Sequence, residues 1–370
     1  MGYDNLILIF TAIIYEALPF IVLGVVIAGL LEEFVPQQAL ARVFPRNRTL
    51  AIALGCILGL VFPMCECGII VVMKRLLRKG LPLSVCVAYV LAGPIINVVV
   101  ILSTYVAFNP PDPKDYVFGG PENVVLLRVG LGYVTALITA LVVDRLERSV
   151  GTFALLHPSV TKGLTEPTEG EEDIVLPTIS IRWVLRAAVW LLLAGPLRVL
   201  LVGAYRALRG DPVWLKRFDN ITKTALNDFV DIMAFVVLGA ACAAGGRLLL
   251  QQTQLETVIQ DNIAVAILLM MALAILFCLC SEADAFVAAN FAAYWPPASK
   301  LAFLVLGPML DMKLYLMYTR VFRSRLIFTI IGCVCSQVFL YTLAVHYAAP
   351  YGPYVWAYFR ALLHAGPITD

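Results

Sequence analysis

Phe62-Pro63-Met64-Cys65-Glu66-Cys67-Gly68 interrupts an otherwise apolar stretch, and its reading decides what kind of fold the chain can have. Proline removes a backbone donor and crowds the preceding turn, glycine admits unusual dihedrals, and two thiols and a carboxylate sit between them. On a helix, residues i and i+2 point about 200° apart. Cys65 and Cys67 can therefore converge on one ligand only where the backbone leaves helical geometry. The apolar run 50–62 is expected to end in an elbow at 65–68 and to resume over 69–73, ahead of Lys74, Arg75, Arg78 and Lys79.

A second interruption answers the first. The run 263–279 meets Cys280-Ser281-Glu282-Ala283-Asp284 and resumes over 286–293, before Trp295-Pro296-Pro297. Phe62 recurs as Phe277 and Cys65 as Cys280 at one constant spacing, which also carries Leu23-Gly24 onto Leu238-Gly239 and Glu16 onto Asp231. One register shorter, Gly93-Pro94 recurs as Gly307-Pro308 and Asn97 falls on Asp311. Matched polar, thiol and helix-breaking positions inside apolar segments are the pattern of transporters built from two structural repeats, with the substrate site near the bilayer midplane at their interface. Non-helical backbone at membrane depth is tolerated only where protein buries it or a wet cavity solvates it, so both elbows should line a cavity.

Composition points to the same compartment. Hydrophobic residues make up 61% and charged residues 14% of the chain, and its mean hydropathy is +0.89; soluble domains carry about 25% charged residues. The expectation is an all-α, multi-pass protein of the cell membrane with about 8–10 transmembrane segments. Full-length spans are expected at 6–31, 81–108, 124–143, 229–250, 301–319 and 326–347. Asp4 stands where a secretory signal would be basic, and the first apolar segment is too long for one, so it reads as a retained span. The organisation expected is a first membrane repeat over 1–150, a polar cytoplasmic linker over 151–181, a broken or interfacial connecting helix over 182–222, a second repeat over 223–350 and a tail over 351–370.

Basic residues crowd 42–48, 74–79, 145–182, 206–223 and 320–325, whereas the loops near Lys114, Arg247, Lys300 and Arg360 carry one each. By the positive-inside rule this makes the halves inverted relative to each other, provided that 183–204 does not cross. The nine cysteines lie almost entirely in apolar segments, unlike a secreted disulfide framework. The three histidines fall in loops or at span ends, which weakens an imidazole-based zinc enzyme. A net charge of +2 with scattered basic residues argues against nucleic acid as a partner.

The candidate substrate-binding residues are Cys65, Glu66, Cys67, Asn97, Cys280, Ser281, Glu282, Asp284 and Asp311, with Cys65, Cys67 and Glu282 as metal ligands. Thiolates select soft ions and metalloids, and an ionisable group inside the membrane is costly enough that function is its default explanation. Glu282 and Asp284 could act as ligands, as proton carriers or as lid residues, or could sit in an outside loop near the interfacial Trp295. Lys313 could neutralise Asp311, but residues two apart do not share a helix face, so Asp311 is expected to face the site while Lys313 finds another partner or snorkels. Glu16 and Asp231 suit a proton relay or cation pathway, and could instead cap helices or pair with a lysine such as Lys223.

The Phe62–Gly68 run, followed by Arg75 to Pro82 and Leu91-Ala92-Gly93-Pro94-Ile95-Ile96-Asn97, resembles the predicted permease family that includes ArsP-type organoarsenical efflux permeases. Residues 280–288 and 303–313 are similar to a branch described as one subunit of a two-component membrane permease. The resemblance implies a permease and a separate partner subunit. Arsenical-type members place a small residue between their paired cysteines, and here that position is Glu66; the mixed sulfur and oxygen set suits a divalent metal such as zinc at least equally. The function expected is transport of a thiophilic metal ion or metalloid by alternating access, not enzymatic turnover. No cofactor is expected to stay bound, the metal or metalloid being cargo. Lipid, a second subunit and further copies of the chain are the expected partners. The competing readings are an intramembrane thiol- or metal-dependent enzyme acting on a lipid-linked or sulfur compound, and a membrane scaffold.

Overall fold

The computed structural model describes residues 47–61, 66–78, 80–109, 117–158, 262–289, 291 and 295–348, with scattered helical positions between 10 and 22 and between 219 and 241. The spans expected at 6–31 and 229–250 and the connecting segment 182–222 lie largely or wholly outside these residues. Every regular element among them is helical, and the single β-bridge pairs Leu156 with Phe322. The helices are α1 (Arg48–Val61), α2 (Glu66–Arg78), α3 (Leu83–Ala92), α4 (Val98–Ala107), α5 (Pro121–Val150), α6 (Thr152–Leu155), α7 (Ile263–Phe277), α8 (Ser281–Ala289), α9 (Pro297–Leu306), α10 (Met312–Val321) and α11 (Ser324–Ala348).

Two short helices form the centre. All ten residues of α3 are buried, as is every residue of α9 after Pro297, and a helix apolar on all sides belongs inside a bundle. Around them, α1 and α5 pack on α3, while α7 and α11 pack on α9. The long helices α5 and α11 meet each other and are the only described helices long and apolar enough to cross a bilayer unaided. Outward faces stay apolar: Leu102 on α4, Leu126 on α5, Leu268 on α7, and Phe328 and Leu340 on α11 are exposed. That much bare apolar surface suits lipid, not water. Beyond α5, Leu155 and His157 strap the chain to the start of α11, through Arg323 N–H to Leu155 O at 2.9 Å and His157 N–H to Val321 O at 2.8 Å.

The spans expected at 81–108 and 301–319 are each broken in two, because a Gly-Pro pair stops the helix and an Asn or Asp starts the next. The two breaks share one hydrogen-bond pattern. Gly93 N–H bonds to Tyr89 O, and Ile95 and Ile96 both bond to Ala92 O; Gly307 bonds to Phe303 O, and Met309 and Leu310 both bond to Leu306 O. Pro94 and Pro308 have no N–H to continue either ladder. Asn97 (φ −135°) then caps α4 by accepting from Val99 N at 3.0 Å, and Asp311 (φ −133°) caps α10 by accepting from Leu314 N at 2.6 Å. Both central helices also begin after a proline of the same conformation, Pro82 at φ −56°, ψ 141° and Pro296 at φ −57°, ψ 140°.

Helix resumes earlier than expected after both interruptions. Helix resumes at Glu66, not Ile69, and at Ser281, not Phe286, so the expected elbow residues Glu66, Cys67, Ser281, Glu282 and Asp284 occupy first turns of helices. In the second half the break is confined to Cys278–Cys280. Helix α1 reaches the first Gly-Pro break backbone to backbone. A Cβ on Gly59 would lie 2.6 Å from Gly93 Cα, Gly93 O and Ile96 O.

Because those atoms are backbone and cannot turn aside, Gly59→Ala should lower stability by about 1–3 kcal/mol. Gly130→Ala on α5, where a Cβ meets nothing within 4 Å, should change it by no more than about 1 kcal/mol. Thermal or denaturant unfolding of the two purified variants in one detergent checks the contrast, and equal losses would mean that Gly59 does not meet the Gly93 backbone.

Candidate functional site

Helix α7 ends at Cys278, a buried residue in the left-handed conformation (φ 48°, ψ 39°). That conformation costs an L-residue on the order of 1 kcal/mol or more, and here it turns two carbonyls, those of Cys278 and Leu279, toward a single ammonium. Lys313 Nζ donates to them at 3.2 and 3.1 Å. The same Nζ pairs with Glu66 Oε1 at 2.6 Å and with Asp311 Oδ2 at 3.3 Å, and all three side chains are at most 2% exposed. One lysine from the second half thus joins the first residue of α2, the end of α7 and the cap of α10.

Lys313 does find another partner, Glu66, and the break between α9 and α10 lets it meet Asp311 as well, against the expectation from helical spacing. Spacing of two keeps residues apart on a helix, but Asp311 is extended and precedes the first helical residue. Its Oδ1 accepts from Leu314 N while its Oδ2 faces Lys313. Snorkelling is excluded as well, since Lys313 is buried and reaches inward.

A second cation works in the opposite direction. Arg128, on α5 and 1% exposed, donates from Nη1 to Thr104 Oγ1 at 2.6 Å and from Nη2 to Ser281 O at 2.8 Å. The guanidinium from the first half so holds the first residue of α8, as the ammonium from the second half holds the first residue of α2. Cations are disfavoured at helix N-termini, so carboxylates must offset them. Asp284 shares this interior with the opposite charges of Arg128 and Lys313 and the like charges of Glu66 and Asp311. Asp284 is 2% exposed, and its Oδ2 lies where a Cβ on Gly307 would stand, 2.5 Å away. The glycine leaves room for the carboxylate.

Four carboxylates (Glu66, Glu282, Asp284, Asp311) and two cations (Arg128, Lys313) share this interior, and the carboxylate oxygens of Glu282 are buried although its residue is only half-buried. Glu66 Oε2, Asp284 Oδ2 and Ser281 Oγ are buried with no hydrogen-bond partner among the described residues. Among the described residues, if all four acids ionise, the excess is two negative charges, which a low-dielectric interior does not tolerate without added protons or cations.

The structure therefore brings Glu66, Ser281, Asp284 and Asp311 into one charged interior, with Glu282 beside Ser281 and with Cys280 buried next to it. Asn97 is buried and spends its side-chain oxygen on the cap of α4. Cys65, Glu16 and Asp231, and the side chain of Cys67, lie outside the described residues. Among the described residues, no three Cys, His, Asp or Glu side chains converge as a metal site. An outside loop for Glu282 and Asp284 is excluded, since both ride the first turn of α8. Sequence reasoning missed Arg128 and underrated Lys313. A lone arginine within the apolar segment 124–143 was the available signal, since buried charge at membrane depth needs a partner.

The chain matches a family described as "Predicted permease", of the ArsP type, over residues 3–347. It is 32% identical to the UPF0718 protein YcgR of Bacillus subtilis (strain 168) over 91% of this chain and 95% of that protein. It is 26% identical, over 91% of this chain and 93% of the relative, to a Streptococcus mutans serotype c protein named "Putative two-component membrane permease complex subunit". No solved structure matches it. With an all-helical fold, lipid-suited outer faces and a family match across nearly its whole length, this membrane protein belongs to the predicted permease family.

Proposed function

We propose that the chain is a multi-pass permease of the plasma membrane that moves a cationic, thiophilic species, a divalent metal ion or a metalloid, by alternating access between two inverted repeats. The single observation that carries this reading is the buried, carboxylate-rich cluster at which both elbows meet. Glu66, Asp284 and Asp311 are each at most 2% exposed, and among the described residues the buried cations Arg128 and Lys313 share their interior. An interior with excess negative charge in a permease fold is built to accept positive charge.

Three features support the repeats. The breaks after α3 and α9 share hydrogen bonds, caps and preceding prolines. The contacts cross over, with α4 of the first half packed on α8 of the second and α10 of the second on α2 of the first. The end of α5 and the start of α11, equivalent helices, lie together through the Leu156–Phe322 bridge. Equivalent helices that run in opposite directions are what inversion requires. On this reading Cys65, Cys67 and Cys280 supply soft ligands, Ser281, Glu282 and Asn97 line the path, and Glu16 and Asp231 serve proton movement. The Streptococcus mutans relative's name suggests that a second subunit joins this chain, alongside lipid and further copies of it.

Purified protein in vesicles with an entrapped zinc-responsive dye should carry Zn²⁺, and the Cys65→Ser/Cys67→Ser double variant should lose roughly tenfold or more of that flux while unfolding as the wild type does. Undiminished flux in the double variant would take the thiols out of the mechanism, and no flux of Zn²⁺ or arsenite in the wild type would remove this cargo class. Arg128→Met should cost about 3–5 kcal/mol of stability by leaving Asp284 uncompensated, and adding Asp284→Asn should restore much of it. Denaturant unfolding reads both; a double variant no more stable than the single would show that Arg128 acts through packing and not through charge.

A further inference from the structure

The ammonium of Lys313 sits as a bound ion would. Among the described residues, four oxygens lie against Nζ: Glu66 Oε1 at 2.6 Å, Leu279 O at 3.1 Å, Cys278 O at 3.2 Å and Asp311 Oδ2 at 3.3 Å. An ammonium has three N–H donors, so the cage offers more acceptors than its occupant can fill at good geometry. Two carboxylates and two backbone carbonyls, from three separate chain segments, are the ligand types that hold a divalent cation at about 2.0–2.6 Å. The carbonyls are aimed inward only because Cys278 adopts a left-handed conformation that its residue type does not favour. Strained backbone that points carbonyls at one spot is more than the seating of a lysine demands.

Two further oxygens remain. Glu66 Oε2 and Asp284 Oδ2 are buried without a hydrogen-bond partner among the described residues, and Asp284 interacts electrostatically with Glu66, Lys313 and Asp311. A single ammonium offsets one of the two acids it touches. The cluster keeps a negative balance with Lys313 in place and a larger one without it.

We propose that Glu66, Asp311 and the carbonyls of Cys278 and Leu279 form a divalent-cation site whose resident occupant is the tethered ammonium of Lys313, and that an incoming cation binds by displacing it. The aliphatic stem of lysine makes such a swing feasible where a shorter cation carrier could not withdraw. In the absence of cargo the ammonium offsets part of the negative charge and joins the two elbows; with cargo bound, the joint passes from lysine to the metal ion. This deepens the transport reading and rests on it for what happens after binding, but occupancy of the site is measured without any flux.

The probe is Zn²⁺ alone, titrated into the full-length protein in detergent. Lys313→Met removes the competitor and should bind Zn²⁺ roughly tenfold or more tightly than the wild type, the scale of one lost ionic competitor. Adding Glu66→Gln to Lys313→Met should cancel the gain. Equal or weaker binding by a monodisperse, folded Lys313→Met protein overturns the proposal. The wild type supplies a test that does not depend on any variant folding. Saturating Zn²⁺ should make Lys313 reactive toward an amine-acylating reagent, read by mass spectrometry of its peptide, and an unchanged acylation level overturns the proposal whatever the variants do. Vesicles that show the acylation change but carry no Zn²⁺ would keep the site and refute transport of that ion instead.

Discussion

The contact between Lys313 and Glu66 is the constraint around which the rest of the described structure is arranged. A 2.6 Å ion pair between side chains that are 2% and 1% exposed exists only if both charges are lifted out of solvent and delivered to one point from opposite halves of the chain. Removing a charge from water costs several kcal/mol per ion, and the pair recovers this only with further hydrogen bonds. The carbonyls of Cys278 and Leu279 provide them, and the carboxylate of Asp311 adds a second ion pair at 3.3 Å. Each of these depends on a helix being stopped: α7 at Cys278, α9 at Gly307, and the first half before Glu66. Continuous helices would have consumed those carbonyls in their own ladders and left the lysine unsatisfied.

Arg128 extends the same logic. Its two hydrogen bonds tie α5 to α4 through Thr104 and to the start of α8 through Ser281 O. Helix association in lipid has no hydrophobic drive between helices, so small residues that allow close approach and polar contacts that cross between helices must hold the bundle together. Gly59 against Gly93, and Gly307 beneath Asp284, are the small residues; Arg128 and Lys313 are the polar ties. The architecture and the charged interior are for this reason one feature, because the breaks that expose carbonyls also create the gaps into which the acids fit.

Much of this was legible in the residue order. Proline and glycine around two thiols and an acid announced the first elbow, a matched thiol with two acids in an apolar run announced the second, and the recurrence of Gly-Pro followed by Asn or Asp announced both breaks. The reading failed where helical spacing was extended through a break: Lys313 was separated from Asp311 by a rule for helices, although Asp311 is extended and caps the helix on which Lys313 lies. The helices start earlier than the residue order suggests, at Glu66 and Ser281 and not at Ile69 and Phe286, because their first turns carry the polar residues that a hydropathy reading assigns to loop. Arg128 was passed over because a single charge barely alters the hydropathy of a long apolar segment, while its two partners lie in α4 and α8, far away in sequence. Such partners cannot be found by local periodicity.

On the two-repeat reading, the halves differ where it matters most. The constant spacing that matches Cys65 to Cys280 also matches Ile69 to Asp284, and the contacts agree. A Cβ on Gly93 would strike Ile69 Cδ1 at 2.5 Å, and one on Gly307 would strike Asp284 Oδ2 at the same distance. The same notch beside a Gly-Pro break is thus sealed by a methyl group in one half and filled by a carboxylate in the other. Glu66 stands opposite Ser281 in the same register, so the acid at the helix start belongs to the first half alone. A symmetric pair of acids at each notch would have set like charges close together in a low-dielectric interior, which is strongly unfavourable. Dividing them, with Glu66 facing a lysine from the second half and Asp284 facing an arginine from the first, gives each carboxylate a cation across the interface. The asymmetry is the arrangement by which a duplicated scaffold can hold several acids in one buried place.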